Sequence, residues 1–433
     1  MAENREFVRA LARLDSLTNW EQRPRGGMRV GLEPMLDLSA RLGHPERSFR
    51  SIHVAGTKGK GSVSALIEAA LARGQLQVGR YGSPHVERVS ERVSVSGREV
   101  DEVVLARGLE RALDAYEVAK SAKTAAAGAT WFDLMTASAF LIFAETHVEW
   151  AAIEVGLGGR LDSTNIVKGE IAIVTNIELE HTEVLGHSRE AIAREKVGIL
   201  KPGAALITPL LPKDGAGRVI QARADEFGCR ITRPLLDPSA TIEETNVALA
   251  AAVLDELGRR GATARLAEGE RLVGGWLIDA ETRVAARLPG RMERFAVDAR
   301  RARIPVVLDG AHVPFNLKAV LSDLARVSEL SGPCVAVVAL AADKDATGFV
   351  TVLAERASAL VLTNLPGSTR GRPPLELKAI AASLGIASEV ESDAKRAYRR
   401  GLELAAEANA WLLVAGSLYL VGALRADVME EGR

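Results

Sequence analysis

The chain has 433 residues, of which 55 are basic and 56 acidic, giving a net charge of -1 at pH 7. At about 150 residues per domain, this length predicts two or three domains. A charged fraction of 26% and an apolar fraction of 47% are ordinary globular proportions, which excludes a disordered tail protein and a collagen-like one. No global field attracts nucleic acid or an acidic membrane, so any phosphate binding must be local.

The cysteines and the apolar runs bear on compartment and membrane association. Cys229 and Cys334 are the only cysteines, which excludes disulfide scaffolds and cysteine-rich zinc sites. The start Met1–Glu6 lacks the apolar core of a signal peptide. The longest mostly apolar run, Trp411–Leu424, is shorter than the ~20 residues of a membrane-spanning helix. We therefore expect a soluble, cytoplasmic protein without nucleic-acid or membrane partners, and a monomer by default.

Short apolar runs alternate with stretches of helical period along the first two thirds of the chain, a pattern typical of parallel sheets covered by helices. The predicted strands are Ser51–Ala55, Trp150–Val155, Ile171–Thr175 and Ala205–Ile207. The predicted helices are Ser64–Arg73, Glu102–Lys120, Phe132–Thr146, Ser188–Leu200 and Ile242–Arg259. Arg92–Arg98 alternates differently and predicts a small hairpin that turns near Gly97.

The same alternation restarts near Ile304 and predicts a second, smaller α/β domain. Its predicted strands are Ile304–Leu308, Cys334–Leu340, Ala359–Thr363 and Trp411–Ala415. Turn residues at Leu288–Arg291 and a charged run at Asp298–Arg303 place the boundary near Phe295. We expect residues 1–295 to form a P-loop-like, mostly parallel sheet domain and residues 296–433 a Rossmann-like α/β domain.

The sharpest local signal is the glycine-rich segment Gly56–Ser62, which follows one predicted strand and precedes a predicted helix. Backbone N–H groups in such a loop turn toward one anion at a helix N-terminus. Lys60 would then reach the terminal phosphates, and Ser62 would hold magnesium or a phosphate oxygen. The spacing of the usual P-loop is not met, because Gly61 separates the lysine from the serine. The alternative is a flexible turn with solvated lysines, and the flanking strand and helix favour phosphate binding.

Other polar residues follow predicted strands, at the sheet edge where open α/β sheets bind ligands. Glu154 ends one strand and is positioned to meet a magnesium ion, although a solvent-facing strand end explains it equally well. Glu178, Glu180 and His181 follow another strand. Asp309–His312 ends the first strand of the second domain, where a ligand-binding aspartate and an Asx turn are both reasonable interpretations.

In this order the segments resemble the folylpolyglutamate synthase and dihydrofolate synthase family, within the Mur ligase superfamily. The resemblance covers about Gly31 to Arg425. The motifs that carry it are Gly56–Ser62, Ser83–His85, Glu154–Asn165, His181–Glu183 with Leu185–Gly186, Glu195–Gly203, Leu288–Arg291, Asp309–His312, Asp343–Asp345 and Gly416–Gly422.

The resemblance implies an ATP-dependent amide ligase that adds L-glutamate to dihydropteroate or a folate through an acyl phosphate. An acyl phosphate hydrolyses readily, so we expect the C-terminal domain to close over the nucleotide and exclude water. The ATP-binding residues implied are Gly56, Thr57, Lys58, Gly59, Lys60, Gly61, Ser62, Asn246, Arg291 and Asp309. The magnesium ligands implied are Ser62, Ser83, Glu154 and His181.

The resemblance also assigns catalytic and substrate-binding residues. The catalytic residues implied are Lys60, His181, Lys196, Asp309 and His312, with Lys196 matching a lysine that the family carbamylates. The segments implied to contact the pterin-bearing substrate are Thr130, Trp131, Phe132 and Asp133, with Leu161, Asp162 and Ser163.

Several positions depart from the family pattern. Lys58 stands where asparagine is usual, and Glu180 replaces the aspartate before His181. The remaining departures are Val197 for alanine, Val313 for asparagine, and Pro34 for a basic residue. A ligase is therefore better supported than folate as its substrate. The alternatives are a Mur-type amide ligase acting on a non-folate carboxylate, and a non-catalytic nucleotide-binding relative.

Overall fold

The computed structural model describes residues 5–22, 31–300 and 302–432. The chain divides into two compact units, one of Met1–His85 with Val89–Arg287 and one of Val86–Arg88 with Leu288–Arg433. Residues Met1–Asn4, on which much of the expectation about a signal peptide depends, lie outside the described residues.

The larger unit contains strands and helices in alternation. Its strands are β1 (Arg50–Ala55), β2 (Val78–Tyr81), β3 (Val93–Val95), β4 (Arg98–Glu99), β5 (Trp150–Glu154), β6 (Gly169–Val174), β7 (Ala205–Ile207), β8 (Ile231–Thr232), β9 (Thr263–Leu266) and β10 (Gly269–Leu272). Its helices are α1 (Arg5–Asp15), α2 (Glu33–Arg41), α3 (Lys60–Arg73), α4 (Glu102–Ala122), α5 (Trp131–Glu145), α6 (Thr182–Leu185), α7 (Arg189–Val197), α8 (Gly215–Glu226), α9 (Ile242–Arg259) and α10 (Ala280–Ala285).

Within the described part of this unit, an eight-stranded sheet runs in the order β4-β3-β2-β5-β1-β6-β7-β8. Six neighbouring strands pair in parallel, in the order β2, β5, β1, β6, β7 and β8. β3 and β4 extend the sheet beyond β2 as antiparallel strands. Val54 of β1 lies opposite Glu154 of β5, and Ala55 lies opposite Val174 of β6. The loops that follow these three central strands therefore emerge at one edge of the sheet.

The helices are specified by capping as well as by apolar surface. α5 and α9 begin with capping boxes formed by Thr130 with Asp133 and by Thr241 with Glu244, which satisfy backbone N–H groups at a helix start. Ser188 caps α7 through its hydroxyl. α5 packs against α4 around Leu109, Phe140 and Phe143 in one continuous hydrophobic core.

The smaller unit is a second α/β layer structure. Its strands are β11 (Glu293–Ala299), β12 (Ala302–Leu308), β13 (Cys334–Val338), β14 (Ala357–Leu362), β15 (Ser388–Val390) and β16 (Trp411–Ala415). Its helices are α11 (Pro314–Leu324), α12 (Ala346–Ala354), α13 (Pro374–Ser383), α14 (Ala394–Glu407) and α15 (Leu418–Glu431). Among the described residues the sheet order is β11-β12-β16-β13-β14-β15, with only β11 antiparallel.

The predicted α/β fold class is confirmed, and each predicted strand coincides with an observed one to within a few residues. The predicted boundary near Phe295 falls inside β11, whose pairing with β12 belongs to the smaller unit. The apolar run Trp411–Leu424 is divided between β16 and α15. Among the described residues no helix combines the length and the hydropathy needed to cross a membrane.

Candidate active site

The glycine-rich segment leads from β1 directly into α3. Gly59 is the N-cap of α3 with a left-handed φ of 84°, so Lys60 and Ser62 lie in the first turn of the helix rather than before it. Backbone N–H groups in a first helical turn have no partner within the helix, and the dipole adds partial positive charge there. This end of α3 is therefore suited to an anion.

The end of β6 holds the glycine-rich segment in place. The amide oxygen Oδ1 of Asn176 accepts hydrogen bonds from the backbone N–H groups of Thr57 (3.1 Å) and Lys58 (2.9 Å). The Thr175 hydroxyl donates to the Lys58 carbonyl at 2.6 Å. A methyl group at Gly59 would lie 2.7 Å from Oδ1 of Asn246 on α9, so this predicted nucleotide residue lies against the same segment.

Lys60 and Glu154 face each other across the ends of β1 and β5. Lys60 Nζ lies 3.9 Å from Glu154 Oε1, and the Ser83 backbone N–H donates to Glu154 Oε2 at 3.2 Å. Only 5% of Glu154 is exposed. A buried carboxylate requires positive or hydrogen-bonding partners. Lys60 and the Ser83 N–H are such partners for the negative charge of Glu154.

Lys196 lies at the end of α7 and is buried beneath the glycine-rich segment. Its ammonium donates to the Gly56 carbonyl at 2.7 Å. Burial, reinforced by the charges of Lys60 and Lys58, lowers the pKa of Lys196 to about 7, while Glu180 opposes that shift. Near neutral pH the amine is therefore neutral in a substantial fraction of molecules.

Glu180 lies between Lys58 and His181. Its Oε1 is 3.1 Å from Lys58 Nζ and 3.6 Å from His181 Nε2. His181 itself is the N-cap of α6 with a left-handed φ of 53°. Lys58 is therefore engaged by a carboxylate and is not a purely solvated lysine.

The donors near this edge fit a magnesium ion. Among the described residues, no three His, Cys, Asp or Glu side chains converge as a ready-made metal cluster. The candidates are instead the buried carboxylate of Glu154, the imidazole of His181, and the hydroxyls of Ser62 and Ser83. Magnesium commonly takes one or two carboxylates and completes its shell with water and substrate phosphates, so the chemistry of these donors is compatible with this ion.

The predicted substrate-binding segments also lie together. The Ser163 hydroxyl donates to Asp133 Oδ1 at 2.6 Å, which links the loop after β5 to the start of α5. Trp131 is 3% exposed and donates from its indole to Asp15 at 2.8 Å, so it packs in the core. Phe132 is partly exposed, packs against Tyr81, and lies close to Gly156. Phe132 is the better candidate of these two aromatic residues for contact with a ligand.

Asp162 shapes the loop that carries Leu161 and Ser163. Its two carboxylate oxygens accept hydrogen bonds from the backbone N–H groups of Leu157 (2.8 Å) and Thr164 (3.0 Å). Burial raises the pKa of Asp162 to about 6, against the opposing effect of these bonds. The structure thus gives Asp162 a part in organising this loop.

In the smaller unit, Arg291, Asp309 and His312 lie around two adjoining turns. Asp309 accepts hydrogen bonds from the backbone N–H groups of Met292 (2.8 Å) and Ala311 (2.7 Å). His312 Nδ1 lies 2.8 Å from the Gly310 carbonyl, and the Gly310 N–H donates to the Gly290 carbonyl at 2.9 Å. Asp309 therefore forms the Asx-type turn that the sequence left as one of two interpretations.

Comparison with known families matches both units. The Mur ligase middle domain matches residues 54–247, and the Mur ligase glutamate ligase domain matches residues 290–418. The Bacillus subtilis dihydrofolate synthase/folylpolyglutamate synthase is 39% identical over 46% of each chain, so that alignment spans about half the length of the relative. The Escherichia coli enzyme of the same name is 31% identical over 75% of each chain. The chain belongs to the dihydrofolate synthase/folylpolyglutamate synthase family.

Solved structures of this family agree over nearly the full length. The E. coli FolC in complex with DHPP and ADP has a TM-score of 0.76 at 26% identity, covering 98% of both chains. A bifunctional folylpolyglutamate synthase/dihydrofolate synthase with Mn, AMPPNP and L-glutamate bound has a TM-score of 0.75 at 27% identity, also covering 98% of both chains. The family predicted from the motifs is confirmed. The chain is a Mur-type ATP-dependent ligase.

Sequence reasoning missed two contributors to this family site. Thr175 and Asn176 hold the glycine-rich segment, yet we predicted only the acids and the histidine that follow them. Their position directly after a buried strand was a usable signal, because polar residues there meet the neighbouring loop. The contact between Lys58 and Glu180 carried no such signal, since it joins segments far apart in the chain.

Proposed function

We propose that the protein adds L-glutamate to dihydropteroate, to folylpolyglutamate, or to both, through an acyl phosphate formed with ATP. One observation carries the proposal: Lys60, in the first turn of α3, lies 3.9 Å from Glu154, next to the glycine-rich segment under which Lys196 is buried. A cation for the phosphate groups and a carboxylate for a metal are thereby combined, as phosphoryl transfer to a carboxylate requires.

The proposed nucleotide site is the glycine-rich segment with Asn246. Backbone N–H groups at the start of α3 would bind phosphate oxygens, and Lys60 would neutralise charge on the group being transferred. We assign Arg291, Asp309 and His312 to the nucleotide and the reacting groups on the strength of their family motifs. The larger unit would thus carry ATP, metal and pterin substrate, and the smaller unit, which begins at Leu288, the remaining nucleotide contacts.

Ser62, Ser83, Glu154 and His181 would hold magnesium. When bound, the ion offsets phosphate charge during phosphoryl transfer. The related structure with Mn and AMPPNP supports a divalent metal in this family.

Carbamylation of Lys196 is part of the proposal. The neutral amine would attack carbon dioxide, a nitrogen–carbon bond would form, and one proton would be released, leaving an anionic carbamate. The supporting observations are the burial of Lys196 and its pKa of about 7, which supply the neutral nucleophile at physiological pH. A carbamate would replace a cation beside a metal site with oxygen donors suited to a hard ion.

The reaction then proceeds in two balanced steps. A carboxylate oxygen of the pterin substrate attacks the γ-phosphorus of ATP, and the bond to ADP breaks. The amine of L-glutamate next attacks the acyl carbon, the amide bond forms, and inorganic phosphate leaves as the amine loses its proton. We assign the pterin-bearing substrate to the partly exposed Phe132 and the loop organised by Asp162.

Incubation of the purified protein with ATP, Mg²⁺, L-glutamate and either dihydropteroate or tetrahydrofolate tests the substrate. We expect ADP and glutamylated product in equal amounts with at least one pterin. Ligation with other carboxylates only would favour the non-folate alternative, and nucleotide binding without turnover would favour a non-catalytic relative.

Light scattering under the same conditions checks the proposed monomer.

The Lys196→Ala variant tests the carbamate. We expect turnover to be lost and partly restored by short-chain carboxylic acids, which supply the missing carboxylate. Full activity of this variant without added acid would refute the role of the carbamate.

A further inference from the structure

Lys58 and Glu180 are two departures from the family pattern that meet in the structure. Lys58 Nζ lies 3.1 Å from Glu180 Oε1, and the two side chains are only 18% and 8% exposed. Lysine is longer than the usual asparagine and glutamate longer than the usual aspartate. Lys58 supplies the positive charge of this pair, and Glu180 keeps the negative charge of the usual aspartate on a longer side chain.

The backbone of Lys58 is fixed independently of its side chain. Its N–H donates to Asn176 and its carbonyl accepts from Thr175, while the Glu178 N–H donates to the Thr57 hydroxyl at 3.0 Å. The segment after β6 and the glycine-rich segment are thus already joined by hydrogen bonds that do not involve the Lys58 side chain. The ammonium of Lys58 extends this junction toward the residue that precedes His181.

Glu180 lies between Lys58 and His181 and connects their side chains. The oxygen that meets Lys58 also faces His181 Nε2 at 3.6 Å. A negative charge this close to one ring nitrogen favours the proton on that nitrogen, and so favours the opposite nitrogen as the metal ligand. An ammonium on the same carboxylate limits where that carboxylate can move.

We propose that Lys58 is a positioning residue that acts through Glu180 on His181, and not a direct phosphate ligand. The inference rests on the proposed function in one respect, that His181 binds the metal accompanying ATP. It removes the Lys58 ammonium from the proposed phosphate contacts of the glycine-rich segment.

The test is a double-substitution cycle of Lys58→Asn, Glu180→Asp and the combined variant, which restores both usual family residues. The readouts are Mn²⁺ binding to the AMPPNP complex, followed by electron paramagnetic resonance, and AMPPNP binding in EDTA, followed by calorimetry. We expect each single change to weaken Mn²⁺ binding about tenfold, the scale for partners that orient a metal ligand. The combined variant should lose less than the product of the two, and AMPPNP binding in EDTA should remain within about twofold.

Two controls accompany the cycle. Lys213→Asn removes an equally charged but exposed side chain and should leave Mn²⁺ binding unchanged. Lys58→Arg keeps the charge and should bind Mn²⁺ nearly as the unaltered protein does. Glu180→Gln, which preserves shape, carries the same test if Lys58→Asn fails to fold, and unchanged Mn²⁺ binding in it overturns the proposal.

Two other results would also overturn it. In one, Lys58→Asn weakens AMPPNP binding by the same factor in EDTA and with metal, and by the same factor whether residue 180 is Glu or Asp. This result would identify a direct contact between Lys58 and phosphate. The other is unchanged Mn²⁺ binding in both single variants. The cycle does not depend on turnover, so failure of the glutamate ligation assay removes the proposed function and leaves this inference to be judged by metal binding.

Discussion

Lys196 is buried, and its ammonium donates to the backbone carbonyl of Gly56 at 2.7 Å. An ammonium in that position has lost most of its hydration, which a single carbonyl only partly replaces. This loss of hydration disfavours the charged amine and is the main cause of the lowered pKa of Lys196. A residue that makes the fold less stable while supplying a reactive amine is expected at a catalytic position.

Lys196→Met should therefore change how stability depends on pH. The pKa of Lys196 is about 7 in the folded chain and near 10.4 when unfolded, so the unfolded state binds the extra proton between these values. The destabilisation is full below pH 7 and disappears as pH rises toward 10. Relative to Lys196→Met, the unaltered protein should gain up to about 1.4 kcal/mol per pH unit from pH 7 to pH 9.

Urea unfolding in buffer without CO₂, nucleotide or metal measures this difference. A stability difference independent of pH over that range would contradict the assigned shift. Lys168→Met, at an exposed position, is the control for removing one positive charge.

Lys60→Met tests the cation in the first turn of α3. The change removes the positive charge opposite Glu154 and should lower kcat by about 10²–10³, the usual loss when one charge-stabilising donor is removed. Steady-state kinetics with saturating ATP measures it. A change confined to KM would instead mean that Lys60 binds the ground state and the transition state equally.

At the level of elements, the paired ends of β1, β5 and β6 determine where the proposed active site lies. Their register places Val54 beside Glu154 and Ala55 beside Val174, so three loops distant in sequence share one edge. Short apolar runs made these strands predictable. β2 was missed because Arg80, paired with Glu68 at 2.9 Å, interrupts its apolar signal.

The start of α3 was predicted four residues too late, since the glycines of this segment were taken as loop. The helix begins immediately after Gly59. The left-handed conformation of Gly59 is not helical, so the helix cannot begin at an earlier residue. The individual motif residues could be predicted from their resemblance to a family. Their partners, such as Asn176 for the loop and Glu180 for Lys58, depend on tertiary contacts that local pattern does not carry.

Gly59→Ala should disrupt the glycine-rich element. Alanine would be strained at a φ of 84° and would also approach Asn246 Oδ1 at 2.7 Å. We expect ADP binding, measured by calorimetry, to weaken at least about tenfold, together with a loss of about 1 kcal/mol of stability.

Gly203→Ala is the matched control for that element. Its φ is +78°, and no atom lies within 4 Å of the added methyl group. It should lose similar stability with unchanged ADP binding. Equal loss of ADP binding in both variants would show that the effect is not specific to the glycine-rich segment.

At the scale of the whole molecule, the chain passes between its two units more than once. Val86–Arg88 belong to the unit that otherwise begins at Leu288. Arg425 of α15 fixes this short segment, since it donates to Glu87 at 2.6 Å and to both carboxylate oxygens of Glu293. The smaller unit is therefore completed by residues that precede it by some two hundred positions in the chain.

Arg425→Met should lower the free energy of unfolding by about 1–3 kcal/mol, because two largely buried carboxylates lose their shared partner. Lys395→Met, which breaks the exposed pair with Asp427, should cost less than about 1 kcal/mol. Urea denaturation of the two variants makes the comparison. Equal losses would mean that Arg425 contributes no more than an ordinary surface ion pair.

No single cut of the polypeptide can separate the two units cleanly. A gene split after Arg287 leaves Glu87 on the first fragment and its guanidinium partner Arg425 on the second. The second fragment, produced by itself, would expose the site that Val86–Arg88 covers. Complementation of the two halves, or exchange of the C-terminal half with that of a relative, must therefore carry these three residues across as well.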